Sequence, residues 1–322
     1  MTTIRLASAG ERLDVVSDQQ DLADVVSEVG TPIQDDGPPT LRVVLESSRE
    51  PFATEGLLPL ARGALAGGDV MIVRDVATSG FDLRVDADEA IPTLTYRWRP
   101  GTRTRMAKVA WRARHRLLVR AVLVQYPVLW RAGMRDRAPL HAAAVTAGEA
   151  RPLLAGPGGV GKSTLVGAEV VAGGRSTGDN LAVADGKAVW GLVEPVRAEG
   201  GNGRKMPHGR TESALSRRAD RLEPDRIVIL RRGDREEARV DPASPDEATR
   251  ALVTGTYAAR ELQRYWSFAA LLALGTGLGP AHPPVEAAAQ AFARALPAVT
   301  ITLPRKPGVR LVDLLTHTEA VA

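Results

Sequence analysis

The chain has 322 residues, of which 44% are hydrophobic and 25% charged, and its formal net charge is +4 at pH 7. These proportions are typical of a globular protein with room for two domains, and no apolar run reaches the roughly 18–20 residues of a membrane helix. The lack of cysteine excludes disulfides, thiolate metal sites and a cysteine nucleophile. Six carboxylates in the first thirty residues exclude a signal-peptide core, so we expect a cytoplasmic protein.

The charge is unevenly distributed along the chain. Residues 1–96 hold seventeen acidic and seven basic side chains, a net charge of −10, whereas residues 97–137 hold twelve basic side chains and one acid, a net charge of +11. Such a basic segment can meet nucleic acid or anionic lipid, or it can dock against the acidic part of its own chain. We favour docking within the chain or a solvated face.

Short β-branched or apolar runs between turn-forming residues predict strands in the first hundred residues. These strands are Thr3–Ala7, Leu41–Glu46, Asp69–Arg74, Phe81–Val85 and Pro92–Trp98. Helices are expected at Gln20–Val29 and Glu55–Leu65. No set of catalytic side chains stands out there, so we predict a smaller α+β N-terminal domain over residues 1–137 that serves docking or substrate recognition.

A long helical segment is predicted over Arg103–Met134, with a kink at Pro127 because proline removes a backbone donor and clashes with the preceding turn. Its apolar positions are expected to face a core, with the arginines outside. Those positions are Val109, Leu117, Val122, Leu123 and Leu129. The second domain is predicted to span residues 138–322.

Hairpins, helices and one buried strand are expected in this second part. Gly148 separates the apolar runs Leu140–Thr146 and Arg151–Ala155, and Asp185-Gly186 separates Leu181–Ala184 from Ala188–Val193, so both places favour hairpins. Arg226–Leu230 is a candidate buried strand. Further helices and a last strand are predicted at Ser163–Val171, Pro245–Thr254, Ala258–Leu274, Val285–Leu296 and Ala298–Leu303.

The most specific motif is a phosphate-binding P-loop that satisfies the pattern G-x-x-x-x-G-K-[ST], with an apolar strand before it and a helical run after it. Its glycines allow successive backbone N–H groups to point at phosphate oxygens, and the following helix adds its positive end. The pattern predicts binding of ATP with Mg²⁺, the lysine bridging the phosphates and the serine hydroxyl coordinating the metal. The predicted binding residues are Gly156, Pro157, Gly158, Gly159, Val160, Gly161, Lys162, Ser163 and Thr164.

The usual second signature of P-loop NTPases, a hydrophobic strand ending in an acid, is missing from the obvious strand. Arg226–Leu230 runs into Arg231-Arg232, and arginine cannot coordinate Mg²⁺. The nearest alternative carboxylate is Asp179, flanked by Gly178 and Asn180 in what reads as a tight turn. We expect Asp179 to complete the metal site.

The order of several short motifs resembles the catalytic domain of the HPr kinase/phosphorylase family, and within it the shorter HPr-kinase-like proteins associated with bacterial peptide-modification gene sets. The motifs are LHAAAV at residues 140–145, the P-loop, Gly173-Gly174 leading to Gly178-Asp179-Asn180, and a hairpin ending in Glu194-Pro-Val-Arg197. The resemblance covers roughly residues 138–322. It implies an α/β P-loop domain with a mixed sheet, related to phosphoenolpyruvate carboxykinase and distinct from the common P-loop NTPases.

The resemblance also implies roles for single residues. His141 would sit beside the catalytic carboxylate and help to set its protonation, Asp179 would accept the proton of the acceptor hydroxyl, and Lys162 and Ser163 would hold the phosphates and the metal. The bifunctional enzymes have a second aspartate where this chain has Asn180, which weakens the case for the phosphorylase direction. Their longer signature is also absent.

Several candidates have a structural alternative. Glu194 and Arg197 are candidates to replace part of the missing signature, or they form a surface ion pair. Arg204-Lys205 lies in a glycine-rich stretch, residues 200–209, that either closes over phosphates or is a solvated loop. His141 is otherwise a satisfied histidine in a half-buried strand, and Asp179 is otherwise a turn former.

The leading functional hypothesis is an ATP-dependent kinase that phosphorylates a hydroxyl, most plausibly of serine, on a protein or peptide. The alternatives are a nucleotide-binding regulatory or scaffold protein without catalysis, and a small-molecule kinase with the same site. We expect no nucleic-acid partner, since the chain lacks an acidic strand end and has only four Phe and four Tyr for base stacking. A homo-oligomer is compatible with the sequence.

Overall fold

The computed structural model describes residues 1–34, 37–87, 90–199, 203–206, 210–304, 308 and 310–319. The chain is mixed α/β and folds as two compact units. Unit one is residues 1–135 with 264–283, and unit two is residues 136–263 with 284–322. Within the described ranges, no helix is both long and apolar enough to cross a membrane.

The strands are numbered in chain order. They are β1 Thr2–Ser8, β2 Glu11–Ser17, β3 Thr31–Pro32, β4 Leu41–Glu46, β5 Leu58–Ala61, β6 Ala64–Gly67, β7 Val70–Val73, β8 Phe81–Asp86, β9 Thr93–Trp98, β10 Ala138–Leu140, β11 Ala142–Ala144, β12 Pro152–Ala155, β13 Ala182–Ala184, β14 Val189–Gly191, β15 Val196–Glu199, β16 Arg204–Lys205, β17 Arg210–Ser213, β18 Arg221–Leu222, β19 Arg226–Arg232, β20 Arg239–Ala243 and β21 Ala298–Leu303.

The helices are numbered in the same way. They are α1 Gln20–Ser27, α2 Thr102–Ala110, α3 Arg112–Arg120, α4 Tyr126–Gly133, α5 Lys162–Val171, α6 Pro245–Tyr257, α7 Gln263–Thr276, α8 Val285–Ala295 and α9 Leu311–Glu319. A π-helical turn at Ala121–Gln125 joins α3 to α4, and short 3₁₀ turns lie at Val76–Thr78 and Arg260–Leu262.

Unit one is built on a nine-stranded sheet in the order β3-β1-β2-β4-β9-β8-β7-β6-β5. The pairs β2–β4 and β4–β9 are parallel and the other neighbours are antiparallel. In β4, Leu41, Val43 and Leu45 alternate with less buried residues, as expected for a strand with one face on a core. The five strands predicted in this region are therefore confirmed, and β2, β3, β5 and β6 are additional strands.

The helix predicted at Glu55–Leu65 is wrong. Strands β5 and β6 form an antiparallel hairpin there, and Gly63 has φ +80° at its turn. Glycine adopts this left-handed conformation without the steric cost of a Cβ, and Pro59 cannot donate the backbone hydrogen bond of a helix interior. Turn chemistry therefore outweighs the helical spacing of the leucines and alanines.

The predicted long helix is interrupted at two points, and neither is a kink at Pro127. Trp111, with φ −130° and ψ 52°, separates α2 from α3, and the π-helical turn ends just before α4. Pro127 lies in the first turn of α4, where its missing N–H costs no intrahelical bond. Val109 was predicted to face a core, but it is 70% exposed, and no other residue of α2 is buried either.

The other predicted core positions of this segment fit the structure better. Val122, Leu123 and Leu129 are buried, and Leu117 is half-buried. Because α3 and α4 contain buried residues and α2 contains none, the amphipathic pattern is realised only beyond Trp111.

Part of the basic segment docks against the acidic part of the chain, as favoured above. Glu28 pairs with both Arg116 and Arg120. Three further basic residues pair with acids of the first 96 residues, in the pairs Arg97–Glu46 at 2.6 Å, Arg99–Asp82 at 2.5 Å and Arg135–Glu11 at 3.7 Å. Self-docking therefore accounts for basic residues before and after α2, and none of the ion pairs named here involves α2.

Unit two contains three sheets. The largest has the order β11-β12-β19-β21-β20, with β12, β19 and β21 parallel and the two edge strands antiparallel. The others are β10-β13-β14-β18 and β15-β17-β16. The core around the largest sheet includes the fully buried Leu154, Val166, Val228, Leu230 and Ile301.

Both predicted hairpins of unit two and its buried strand are confirmed. Gly148 and Gly186 have φ +59° and +89° at the turns of β11–β12 and β13–β14. The run Leu140–Thr146 is nevertheless divided, because β10 pairs with β13 whereas β11 pairs with β12. His141 lies at this point of division, between two sheets.

The C-terminal helix is attached to the helix of the P-loop by a buried carboxylate. Glu169 of α5 accepts hydrogen bonds from the backbone N–H groups of Leu311 and Val312 at 2.8 and 3.3 Å. Arg310 donates to its other oxygen at 2.8 Å. Glu169 thus satisfies the free donors and the positive end at the start of α9.

The division into units differs from the predicted boundary in one segment. Residues 264–283 belong with the first 135 residues rather than with the second domain. Tyr265 and Phe268 of α7 lie 5.8 and 5.7 Å from the ring centre of Tyr126, and Trp130 Nε1 donates to Leu278 O at 3.2 Å. Aromatic packing against α4 therefore places residues 264–283 in unit one. This contact joins segments that are distant in sequence, so the local sequence pattern does not predict it.

Candidate active site

The P-loop connects β12 to α5, as predicted, at the carboxyl end of a strand in the centre of the sheet. Gly156 has φ +147°, and a Cβ there would lie 2.9 Å from Leu230 O. Gly161 has φ +121°, and a Cβ there would lie 3.0 Å from Leu303 Cδ1. Both positions require glycine because of conformation and of space. At Gly158 a side chain would meet no atom within 4 Å, so this part of the loop is open.

The Lys162 ammonium is buried inside the loop, with the residue 4% exposed. Its Nζ donates to Gly156 O at 2.6 Å and to Pro157 O at 3.2 Å. An ammonium group has three N–H donors, so in the described part of the chain one donor is left for a phosphate oxygen. Burial lowers the pKa of Lys162 to about 8, against the opposing effects of Asp179 and Glu261. The side chain therefore still carries its charge at pH 7.

Ser163 and Asp179, the two predicted metal ligands, are brought together. The Ser163 hydroxyl lies close enough to the Asp179 carboxylate to lower its pKa, and Asp179 is 5% exposed. Burial raises the pKa of Asp179, while the Ser163 hydroxyl and the charge of Arg197 act in the opposite direction. A buried carboxylate thus lies directly at the start of the P-loop helix.

An extended segment leads up to Asp179, which lies with Asn180 in a bend at the place of the predicted turn. Gly173, with φ +105°, ends α5, and Thr177 N then donates to Ala144 O at 2.9 Å, so the chain runs beside β11. The Ser176 hydroxyl donates to the same carbonyl at 2.9 Å. On the other side, a Cβ at Gly191 would lie 1.8 Å from Thr177 O, so only glycine permits the close approach of β14. Asp179 therefore has a structural support on each side.

His141 lies next to the site, and both of its ring nitrogens are engaged. Nδ1 lies 3.1 Å from Gly255 O, Nε2 lies 2.9 Å from Asn180 Oδ1, and the backbone N–H donates to Thr256 Oγ1 at 3.0 Å. His141 was expected to influence the protonation of Asp179 directly. The geometry does not favour this role, because both ring nitrogens already have other partners. His141 instead fixes the neighbouring Asn180.

The partners of His141 couple its charge to the orientation of the Asn180 amide. Carbonyl oxygens at both ring nitrogens can only accept, so they require a doubly protonated imidazolium. Burial, and next the charge of Lys162, lower the pKa of His141, which favours the neutral ring. A neutral ring donates to Gly255 O through Nδ1 and accepts at Nε2, which requires an amide rotated to present its NH₂ group.

Glu194 and Arg197 belong to a buried charge cluster and are not a surface ion pair. Glu194 is 4% exposed. Arg197 lies 3.6 Å from Glu194, 3.6 Å from Glu212 and 3.7 Å from Glu261, measured between guanidinium nitrogens and carboxylate oxygens. Burial raises the pKa of Glu194 to about 7, opposed by Arg197 and reinforced by Asp179. One guanidinium is thus shared among three carboxylates beside Asp179.

Arg218 is a site residue that the sequence analysis missed. Its guanidinium donates to Thr177 O at 2.9 Å and to Glu194 O at 2.8 Å, so it joins the segments on which Asp179 and Glu194 lie. Its charge also opposes the burial that raises the pKa of Asp179 and Glu194. No sequence motif marks this residue among the many arginines. Its distance from the P-loop in sequence hides its role.

Lys205 is placed away from this cluster. It is exposed on β16, which pairs with β17, so the pair Arg204-Lys205 forms a strand and not the predicted loop. Arg204, rather than Lys205, approaches the cluster, with Nη1 4.0 Å from Glu212 Oε2. Residues 200–202 and 207–209 of the glycine-rich stretch lie outside the described residues.

The end of β19 beside the P-loop carries arginine where many P-loop proteins carry an acid, as the sequence indicated. Arg232 donates to Pro304 O at 3.0 Å, and its Nη2 would lie 3.5 Å from a Cβ at Gly161. A second positive charge therefore approaches the loop. Gly255, at the end of α6, closes the other side, since a Cβ there would lie 3.4 Å from Gly156 O.

The residues fit ATP and Mg²⁺ in a particular way. In the described part of the chain, no group of three or more His, Asp or Glu side chains could hold a metal by itself. The adjacent oxygens of Ser163 and Asp179 suit a Mg²⁺ ion that takes its remaining ligands from phosphates and water, which is the usual arrangement for this ion. The metal is therefore expected to bind with the nucleotide and weakly without it.

Comparison with known proteins adds no family to this geometry. No protein-family model matches the chain, and no curated protein matches it.

Proposed function

We propose that the protein is an ATP-dependent kinase that transfers the γ-phosphate to a hydroxyl group, of serine in the first instance, on a protein or peptide. The observation that carries the proposal is the proximity of Ser163, in a complete P-loop, to the buried carboxylate of Asp179. A carboxylate next to the phosphate-binding loop is in a position both to take a ligand role and to accept a proton.

The proposed reaction is an in-line displacement. The acceptor oxygen forms a bond to the γ-phosphorus as the bond to the ADP oxygen breaks, and the hydroxyl proton passes to Asp179. The backbone N–H groups of the loop and the Lys162 ammonium hold the phosphates and compensate their charge. Bound Mg²⁺ would neutralise further phosphate charge, held by Ser163 and Asp179.

The electrostatics of the site support Asp179 as the base. Burial raises its pKa, which makes the carboxylate a stronger proton acceptor. Arg197 and Arg218 oppose this increase and so favour the ionised form that a base requires. The balance between them keeps a buried carboxylate ready to accept a proton.

The order of His141, the P-loop and Asp179 supports a relationship to the HPr kinase/phosphorylase family and to the phosphoenolpyruvate carboxykinase fold. Asn180 departs from the paired aspartates of the bifunctional enzymes. Its contact with His141 gives it a structural task that needs no charge. We therefore propose the kinase direction alone.

Asn180 also supports the second candidate, a nucleotide-binding regulatory protein without transfer activity. With one carboxylate fewer, the site binds Mg²⁺ and nucleotide with less charge compensation. This candidate predicts nucleotide binding without turnover. A small-molecule kinase shares the site and differs only in the acceptor.

Transfer of γ-labelled phosphate from ATP to a panel of serine peptides, free serine and sugar alcohols tests the proposal. Replacement Asp179→Asn is expected to reduce transfer about 10²–10⁴-fold, the usual contribution of a general base, with ATP affinity changed only a few-fold. Asp246→Asn, at an exposed position in the first turn of α6, is the matched control. If ATP binds and label reaches none of the acceptors, the kinase assignment fails and the regulatory protein stands.

A further inference from the structure

We infer that the helix α2 in unit one, together with two arginine-lined cavities, is a docking site for an acidic segment of the polypeptide substrate. The inference rests on the proposed function for its assumption that the substrate is a polypeptide. The surface itself is described entirely by contacts within unit one.

Helix α2 has no buried residue, which is unusual for a helix of nine residues. Isolated helices of this length are marginal in water, and most helical stability in proteins comes from packing an apolar face. Here the apolar side chains are exposed instead, with Met106 67% and Val109 70% exposed and the adjoining Trp111 60% exposed. A partner that covers this face would supply the missing packing.

The first cavity has a volume of about 400 Å³. It is lined by three guanidinium groups, those of Arg103, Arg114 and Arg264, and by Trp111 and His115. The Nε2 atom of His115 is buried and has no hydrogen-bond partner within the described residues. The cavity thus combines positive charge with an unsatisfied polar atom.

The second cavity has a volume of about 460 Å³ and repeats this composition. Arg49, Arg99 and Arg105 line it together with Trp98. The Trp98 Nε1–H, a donor with no acceptor capacity, is likewise buried without a partner in the described part of the chain. Both cavities therefore offer donors, and no described carboxylate lines either of them.

The two cavities lie on different sides of α2. Arg103 lines the first and Arg105 the second, and residues two apart on a helix point in nearly opposite directions, about 200° apart at 3.6 residues per turn. A ligand that reaches both cavities must therefore be extended and must carry more than one anionic group.

The positive charge of these cavities is largely uncompensated. Arg99 is paired with Asp82 at 2.5 Å. Among the described residues, no carboxylate lies within ion-pair distance of the other cavity arginines, and α2 itself contains three basic residues and no acid. Those arginines are Arg49, Arg103, Arg105, Arg114 and Arg264. Clustered cations of this kind raise the local concentration of an anionic ligand.

An acidic peptide fits these features better than the other polyanions. Because the cavity arginines lie on different sides of α2, a flat membrane surface cannot meet both sets at once, whereas the carboxylates of an extended peptide can. Binding of single-stranded nucleic acid uses a series of accessible aromatic faces, whereas of the two cavity tryptophans only Trp111 is exposed and Lys108 covers the ring of Trp98 at 4.2 Å. Carboxylates satisfy both guanidinium groups and the free indole N–H.

Binding of a fluorescein-labelled peptide of alternating Glu and Ser to the full chain, followed by fluorescence polarisation without ATP, tests the inference. The wild type is expected to bind it, with affinity falling as salt is raised, and to bind the matching Gln/Ser peptide at least about tenfold more weakly. The triple variant Arg103→Gln, Arg114→Gln, Arg264→Gln is expected to lose affinity about tenfold or more, from three ion pairs.

The matched control replaces three exposed arginines outside both cavities, Arg62, Arg74 and Arg250, by glutamine. It is expected to stay within about twofold of the wild type, because screening weakens charges at a distance. Thermal unfolding of both triple variants shows whether they remain folded, and the double variant Arg49→Gln, Arg105→Gln tests the second cavity separately.

Three results would overturn the inference: equal binding of the Glu and Gln peptides, equal loss in the control variant, or tighter arginine-dependent binding of single-stranded DNA or of phosphatidylserine vesicles. The proposed kinase activity fails separately. If a peptide binds through the arginines but never receives label, the kinase proposal is refuted and the docking proposal is retained. If label is transferred equally with and without these arginines, the docking proposal is refuted and the kinase proposal is retained.

Discussion

The arginines of the two units differ in their environments and in their roles. In unit two the guanidinium of Arg218 is held by backbone carbonyls near the buried Asp179, and Arg197 is shared among three carboxylates. In unit one Arg103, Arg105 and their neighbours stand exposed around a helix with no buried residue. The comparison teaches that composition alone assigns no role to the many arginines of this chain. Their partners do.

The largest expected difference concerns stability. Replacement Arg218→Met removes the charge that compensates buried Glu194 and Asp179 and leaves several carbonyls without a donor, which is expected to cost about 3–5 kcal/mol of the free energy of unfolding. Arg105→Met on α2 is expected to change it by less than about 0.5 kcal/mol. Urea unfolding of both variants measures the contrast, and similar values would remove the distinction between the two regions.

An intermediate effect is expected on nucleotide binding. Replacement Lys162→Ala removes a charged donor to the phosphates, worth about 1.5–3 kcal/mol, or roughly ten- to a hundredfold in ATP affinity. Because the pKa of Lys162 is lowered to about 8, ATP affinity of the wild type should fall as the pH rises beyond 8, and this fall should be absent in the variant. Calorimetric titration measures both effects.

Lys187→Ala, at an exposed position of the β13–β14 turn, is the control for that titration and should retain both the affinity and its pH dependence. Equal losses in the two variants would show that Lys162 has no special contact with the nucleotide.

The smallest effect, taken per pH unit, is the pH dependence of stability that Glu194 causes. Its pKa is raised from 4.5 to about 7 in the folded protein, so between these values the folded state binds more protons than the unfolded state and stability falls as the pH rises. The slope is at most about 1.4 kcal/mol per pH unit for one group. Glu194→Gln should flatten it, whereas Glu149→Gln at an exposed turn should not. A slope unchanged in Glu194→Gln would exclude this carboxylate as its source.

The sequence is most informative where the chemistry is local. The P-loop glycines, the hairpin at Asp185-Gly186 and the alternating strand Leu41–Glu46 are recognised from neighbours a few residues apart, because turn conformation and strand pattern depend on such neighbours. The proximity of Ser163 and Asp179 followed from the family resemblance together with the missing acid after Leu230.

The rest depends on contacts between distant segments. Arg218 approaches Asp179 from a segment 39 residues further along the chain, and Gly255 approaches His141 across 114 residues. Residues 264–283 join unit one through aromatic packing that no local window contains. The prediction of a helix at Glu55–Leu65 was wrong for a different reason. Gly63 adopts a left-handed conformation and forms a hairpin turn, so the helical spacing of the leucines does not decide the structure.

Glu169 connects the C-terminal half of the P-loop helix α5 to the C-terminal helix α9. Its carboxylate is 1% exposed and its oxygens are occupied by Arg310 and by the first backbone amides of α9. If the chain were truncated before Arg310, or cleaved there by a protease, the Glu169 carboxylate would stay buried and would lose these hydrogen-bond and charge partners. It lies on α5, the helix that begins in the P-loop. Damage to the tail would therefore disturb the nucleotide site, although none of the described residues of the tail has been placed in that site.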